Sequence, residues 1–126
     1  MFLILDSTFL IDHLRGDHSA RARWHRMFEE GDQPVVTEVV VCEVRTGLRE
    51  EDEGVLERLL IPTEFVQPGR ETAVLAGRWR AETRSHGRIL GLPDALIAAA
   101  AFHLGGGVLT RNVRDFALTP VRVETY

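Results

Sequence analysis

Phe2-Leu3-Ile4-Leu5 is a wholly apolar run that stops abruptly at Asp6. A strand with no polar face to turn toward water has to be covered on both sides, as a central strand of a parallel sheet flanked by helices is. The run therefore points to an α/β fold and puts Asp6 at the carboxyl end of a strand. In open parallel sheets that edge is where ligands collect, so acids there carry more functional weight than acids elsewhere.

The rest of the chain follows the same alternation. Ser7 and Thr8 are candidate caps for a helix carrying Leu10, Ile11 and Leu14 at helical spacing, with Gly16 as its stop. A second helix is expected from about Ser19 to Glu30. Pro34 to Thr37 predicts a short strand leading to a capping threonine, after which Val40, Val41, Val44 and Leu48 mark a helical stripe. Glu43 lies at the edge of that stripe, beside Val40 and Gly47, so its carboxylate should be partly buried while Glu38 and Arg49 point outward. Glu50 to Glu53 suits the solvated start of another helix. Glu64 to Val66 predicts a third strand. A long helix from about Arg70 to His86 follows, its buried side marked by Val74, Leu75 and Trp79.

Pro93 to Leu104 predicts one buried helix, with proline at its start, Gly105 to Gly107 at its end, and Asp94 as its only acid. Gly107 to Thr110 gives a fourth strand and Val121 to Val123 an edge strand. The expectation is a mainly parallel central sheet of four to five strands flanked by helices. At 126 residues the chain has the length of one domain, and no repeat, linker or boundary divides residues 1–126.

Four carboxylates stand out. Asp6 ends the first strand, Asp115 lies in the loop after the fourth, and Glu43 and Asp94 come from helix positions able to face the same rim. Each has an ordinary explanation when taken alone. Asp94 could be a dipole partner in a first helical turn, Asp6 a cap and Asp115 a turn residue. Glu43 is harder to explain away, because a buried carboxylate costs several kcal/mol unless something compensates it. Together, with one cysteine (Cys42) and no paired histidines, they describe oxygen ligands for a hard divalent cation, magnesium or manganese. Histidines 13, 18, 25, 86 and 103 are expected to be structural or surface residues.

Composition narrows the chemistry further. All fifteen basic residues are arginine. A phosphoaspartyl or receiver-type reading of Asp6 lacks the lysine such sites need, and the place two residues on is Thr8 instead of a second acid. No G-x-x-x-x-G-K-[ST] motif supports a P-loop. A net charge of -4 does not advertise nucleic-acid binding. Any phosphate contact must fall to arginine. Arg80, Arg84 and Arg88 are expected on one helix face, and Arg111 and Arg114 lie beside the site. The sequence leaves open whether the helix arginines guide a phosphate-bearing ligand or form an ordinary solvated or partner-binding face. The lone cysteine, the lack of a signal peptide and the lack of any apolar stretch long enough to span a bilayer lead us to expect a cytoplasmic protein with no membrane segment.

These segments resemble the PIN domain, and within it the VapC toxins of VapBC toxin–antitoxin pairs, over nearly the whole chain. Leu5 to Asp12 resembles the family's opening strand with its first acid, and Glu43 with Gly47 resembles its second motif. Leu92 to Ala99 is similar to the third, and Leu109 to Phe116 to the fourth. The resemblance implies a Mg2+- or Mn2+-dependent endoribonuclease with Asp6, Glu43, Asp94 and Asp115 as its acidic cluster. Asp6 and Asp94 would be direct metal ligands. Glu43 and Asp115 would act through water or a second ion, and Thr8, Thr110 and Asn112 would be hydrogen-bonding neighbours. Water would attack phosphorus in line while a cation stabilises the charge on the phosphate oxygens. It also implies an RNA substrate, tRNA among the candidates, a homodimer, and a VapB-like antitoxin. The helices from about Ile11 to Phe28 and Val55 to Leu60 are candidates for the antitoxin groove. The alternative is a PIN-like module that binds RNA or protein without cutting.

Overall fold

The computed structural model describes residues 1–126. The apolar run becomes β1 (Phe2–Leu5), followed by α1 (Ser7–Leu14), α2 (His18–Glu29), β2 (Gln33–Thr37) and α3 (Glu38–Thr46). A single 3-10 turn at Glu50–Asp52 precedes α4 (Glu53–Leu60), β3 (Glu64–Val66) and α5 (Arg70–Ser85). The chain continues through α6 (Leu92–Leu104), β4 (Gly107–Leu109), α7 (Val113–Phe116) and β5 (Arg122–Glu124).

All five strands are parallel, in the order β3-β2-β1-β4-β5. Ile4 lies opposite Val35 on one side and Val108 on the other, so β1 is the central strand its composition predicts. Leu3, Ile4 and Leu5 are fully buried in a core shared with Phe9, Val40 and Leu109, among others. The chain winds outward from β1 through β2 to β3, then crosses back to β4 and β5. Neighbouring connections therefore leave β1 and β4 in opposite directions, which opens a crevice at the carboxyl ends of those two strands.

Helix α6 covers both strands of that pair. Its run Ala98 to Ala101 is buried, Ala95 and Ala99 packing with Ala76 of α5, and Gly105 ends it in the left-handed conformation with φ 68°. Where α5 meets it, the buried residues are Thr72 and Ala76, and Val74, expected inside, is 46% exposed. The expected caps differ in outcome. Asp6, not Ser7 or Thr8, occupies the cap position of α1, and Thr37 caps α3 by position only, its hydroxyl making no capping bond. No helix is long and apolar enough to cross a membrane.

Candidate active site

Asp6 continues the strand ladder past β1, its backbone N–H donating to the carbonyl of Leu109 at 3.0 Å. Its carboxylate is held from the neighbouring strand: Thr110, fully buried just after β4, donates to Oδ2 at 2.7 Å, and Thr8 on α1 donates to the same oxygen at 2.9 Å. The two hydroxyl oxygens are 3.3 Å apart. Both donors converge on Oδ2, which leaves Oδ1 without a side-chain partner. Thr110 also accepts from the backbone N–H of Asn112 at 2.9 Å, so Asn112 enters through its backbone.

The other three acids approach from three helices. Glu43 projects from α3, Asp94 from the first turn of α6 and Asp115 from α7, a four-residue helix where the sequence suggested only a loop. Their proximity is visible in their electrostatics. Burial raises the Asp94 carboxyl, and the charges of Asp6, Asp115 and Glu43 raise it further, to about 6. Glu43 is raised by burial and then by Asp6, with the Ser7 hydroxyl partly offsetting both. No basic side chain is among the groups acting on Asp94. The carboxylates thus crowd Asp94 with no basic side chain opposing them there.

A hard divalent ion fits that donor set, since every donor is oxygen and the missing charge is positive. No three His, Cys, Asp or Glu side chains converge closely enough to grip one ion together. Magnesium suits such an arrangement, because it keeps several waters and takes one or two carboxylates directly.

The arginines divide. Arg80 on α5 is committed to the fold, its Nε donating to the carbonyl of Leu90 at 3.0 Å. Arg84 is exposed near the end of α5, but Arg88 lies beyond the helix, after Gly87 with φ 73°, so the three do not share one helix face. Arg114 is exposed next to Asp115. Arg111 is 57% exposed at its side chain and bonds Asp12. A cleft of about 660 Å³ is lined by Trp79, Glu82, His86, Arg88 and Pro120, among others, and by none of the four acids.

Sequence reasoning missed Ser7, Asp12 and Tyr126. Asp12 is 7% exposed and accepts from Arg111 and from the Tyr126 hydroxyl, partners 99 and 114 residues away. An acid at a buried helix position was the only available signal.

The sequence matches the PIN domain over residues 3–120. It is 31% identical over 117 residues to Ribonuclease VapC19 of Mycobacterium tuberculosis, covering 93% of this chain and 94% of that protein. Among solved structures, the fold is shared with VapBC2 from Rickettsia felis bound to a promoter DNA fragment, at TM-score 0.88 and 18% identity over 99% of this chain and 98% of that one. A toxin–antitoxin complex from Klebsiella pneumoniae matches at TM-score 0.81 and 26% identity, over 98% of this chain and 96% of that one. With its parallel sheet and its acids gathered at one crevice, the chain belongs to the PIN-domain family, and within it to the VapC group.

Proposed function

We propose that this protein is a divalent-metal-dependent endoribonuclease, the toxin of a toxin–antitoxin pair, acting at the crevice between β1 and β4. The observation that carries the reading is Asp94, held at a carboxyl pKa of about 6 by burial and by Asp6, Asp115 and Glu43 with no basic group in opposition. The named ribonuclease relative supports RNA as the substrate class, with tRNA among the candidates.

Asp6 and Asp94 are the direct ligands in this proposal. When bound, Mg2+ or Mn2+ supplies the positive charge that acidifies water and stabilises the charge developing on the phosphate oxygens. The chain's own residues do the rest. Thr8 and Thr110 lock Asp6 through Oδ2, which leaves Oδ1 free of side-chain partners and open to a ligand. Glu43 and Asp115 orient water and take up the proton it releases, a task suited to a carboxylate whose pKa is already raised, as that of Glu43 is. Water forms the new P–O bond as the bond to the leaving ribose oxygen breaks and that oxygen takes a proton from solvent, and Asn112 steadies the turn carrying Asp115.

The Klebsiella pneumoniae neighbour is a toxin–antitoxin complex, which supports a VapB-like partner. The groove between α1, α3 and α4, lined by Ile11, Leu14, Val44, Leu48 and Val55 together with the charged Arg15, Arg49 and Asp52, is the surface we assign to it. A homodimer working in the cytoplasm completes the proposal.

The test is incubation of purified protein, free of antitoxin, with end-labelled cellular RNA, comparing added magnesium or manganese, a chelator, and Asp94→Asn. Discrete cleavage that needs both metal and Asp94 is the expected result. RNA binding without cleavage under every condition would replace the enzyme with a binding module.

A further inference from the structure

Beside the acidic cluster lies a second network, built around the buried Asp12, that hydrolysis does not use. Both oxygens of Asp12 accept from Nη1 of Arg111 at 2.8 Å, and Oδ2 also accepts from the Tyr126 hydroxyl at 2.6 Å. Phe9 packs edge-on against the Tyr126 ring, centroids 5.1 Å apart. The network joins the active site through one hydroxyl. The backbone N–H of Arg111 donates to Thr8 Oγ1 at 3.2 Å, and Thr8 Oγ1 donates to Asp6.

A carboxylate as enclosed as Asp12 is costly unless a charge and hydrogen bonds compensate it, and Arg111 and Tyr126 supply both. The tyrosine hydroxyl is pushed well above its ordinary range by burial and by Asp12, so it stays a donor. Arg111 is engaged only through Nη1. Its Nε and Nη2 remain available on a side chain that is 57% exposed. A guanidinium tied at one corner and open at the others is preorganised to receive a phosphate oxygen, having already lost the rotamer freedom that binding would otherwise cost. Arg84, Arg88 and Arg114 carry no such tether. A polyanion entering a crevice of four carboxylates needs such a contact.

We propose that Asp12 and Tyr126 are positioning residues that hold Arg111 as the contact for a backbone phosphate of the substrate RNA. The proposal rests on the nuclease reading and adds to it the residue that receives the substrate. Ordinary structural tethering of the segment after β5 predicts a different pattern of effects, which a double-mutant cycle separates.

The probe is a labelled single-stranded RNA of randomised sequence, bound to Asp94→Asn protein so that no cleavage intervenes, at several salt concentrations. Arg111→Gln should weaken binding about tenfold and lower the salt slope by about 0.7, the loss of one phosphate contact. Tyr126→Phe, which removes one hydroxyl and keeps the ring on Phe9, should weaken binding by less, and should do nothing further once Arg111 is glutamine. Equal effects of Tyr126→Phe in both backgrounds, or a loss of melting temperature with affinity and salt slope unchanged, would overturn the proposal. Cleavage by the wild-type protein is scored separately. Cleavage combined with normal RNA binding by Arg111→Gln sinks this inference alone, whereas no cleavage and no binding sinks the nuclease reading and this inference with it.

Discussion

Asp94 shows how a single carboxyl can work against the fold that holds it. Its pKa is about 6 in the folded chain against an ordinary value of 3.8, with burial the largest cause and three like charges adding to it. Between those values the folded state binds more protons than the unfolded one, so this group's contribution to stability falls as pH rises through that window. Asp94→Asn removes the charge while keeping the shape. We expect the variant to be more stable than wild type at neutral pH by on the order of 1 kcal/mol, since the half-exposed carboxyl is partly screened by solvent. Urea melts across the window should also show a shallower loss of stability, and a variant less stable than wild type at pH 7 would contradict this account. Gly106 sets a different residue-scale limit. A Cβ there would run into the carbonyl oxygen of Phe2 and lie 2.9 Å from its carbonyl carbon, against backbone that cannot retreat. Gly106→Ala should cost about 3 kcal/mol or more, measured by chemical denaturation.

Between elements, one buried arginine does what apolar packing alone does elsewhere. Arg23 on α2 is 3% exposed, donates to Glu124 on β5 at 2.6 Å and to Asp32 before β2 at 3.4 Å, and so ties a helix to the edge strand and to the segment leading into β2. Removing one partner of a buried charge network leaves the others uncompensated, so Arg23→Ala should cost about 3–5 kcal/mol. Faster amide exchange confined first to β5 would show that the edge strand is released before the core. A uniform change across the molecule would argue against this tie. Features that depend on periodicity are legible in the sequence: the apolar strands, the Pro93 start of α6 and the partial burial of Glu43 all stand within a residue or two of expectation. Other features depend on a neighbour the sequence does not name. Val74 faces out because α5 uses the small Thr72 and Ala76 to approach α6. Helix α7 is too short for a period to register. Asp12 reads as one more helix acid until Arg111 and Tyr126 arrive from far along the chain.

At the scale of the whole molecule, strand order turns scattered acids into one site. Because β1 and β4 are neighbours whose connections diverge, Asp6 and Thr110 meet at 2.7 Å, and the helices that cover the sheet carry Glu43, Asp94 and Asp115 toward the same crevice. The fold therefore concentrates negative charge in a chain whose net charge is already -4. A cation bound there relieves that repulsion only in the folded state, since the unfolded chain does not gather the acids, and binding must appear as stability by mass action. At one hundred times its dissociation constant such an ion adds about 2.7 kcal/mol, enough to move a thermal transition by several degrees. Scanning calorimetry with magnesium and manganese should show this shift in the wild type and a much smaller one in Asp94→Asn. The shift should also shrink below about pH 6, where protons compete with the metal for Asp94. Sodium chloride at matched ionic strength is the control, because it screens the same repulsion without occupying the site. An equal shift with sodium, or a full shift in Asp94→Asn, would mean that general screening relieves the cluster, and the crevice would lose its claim to be a metal centre.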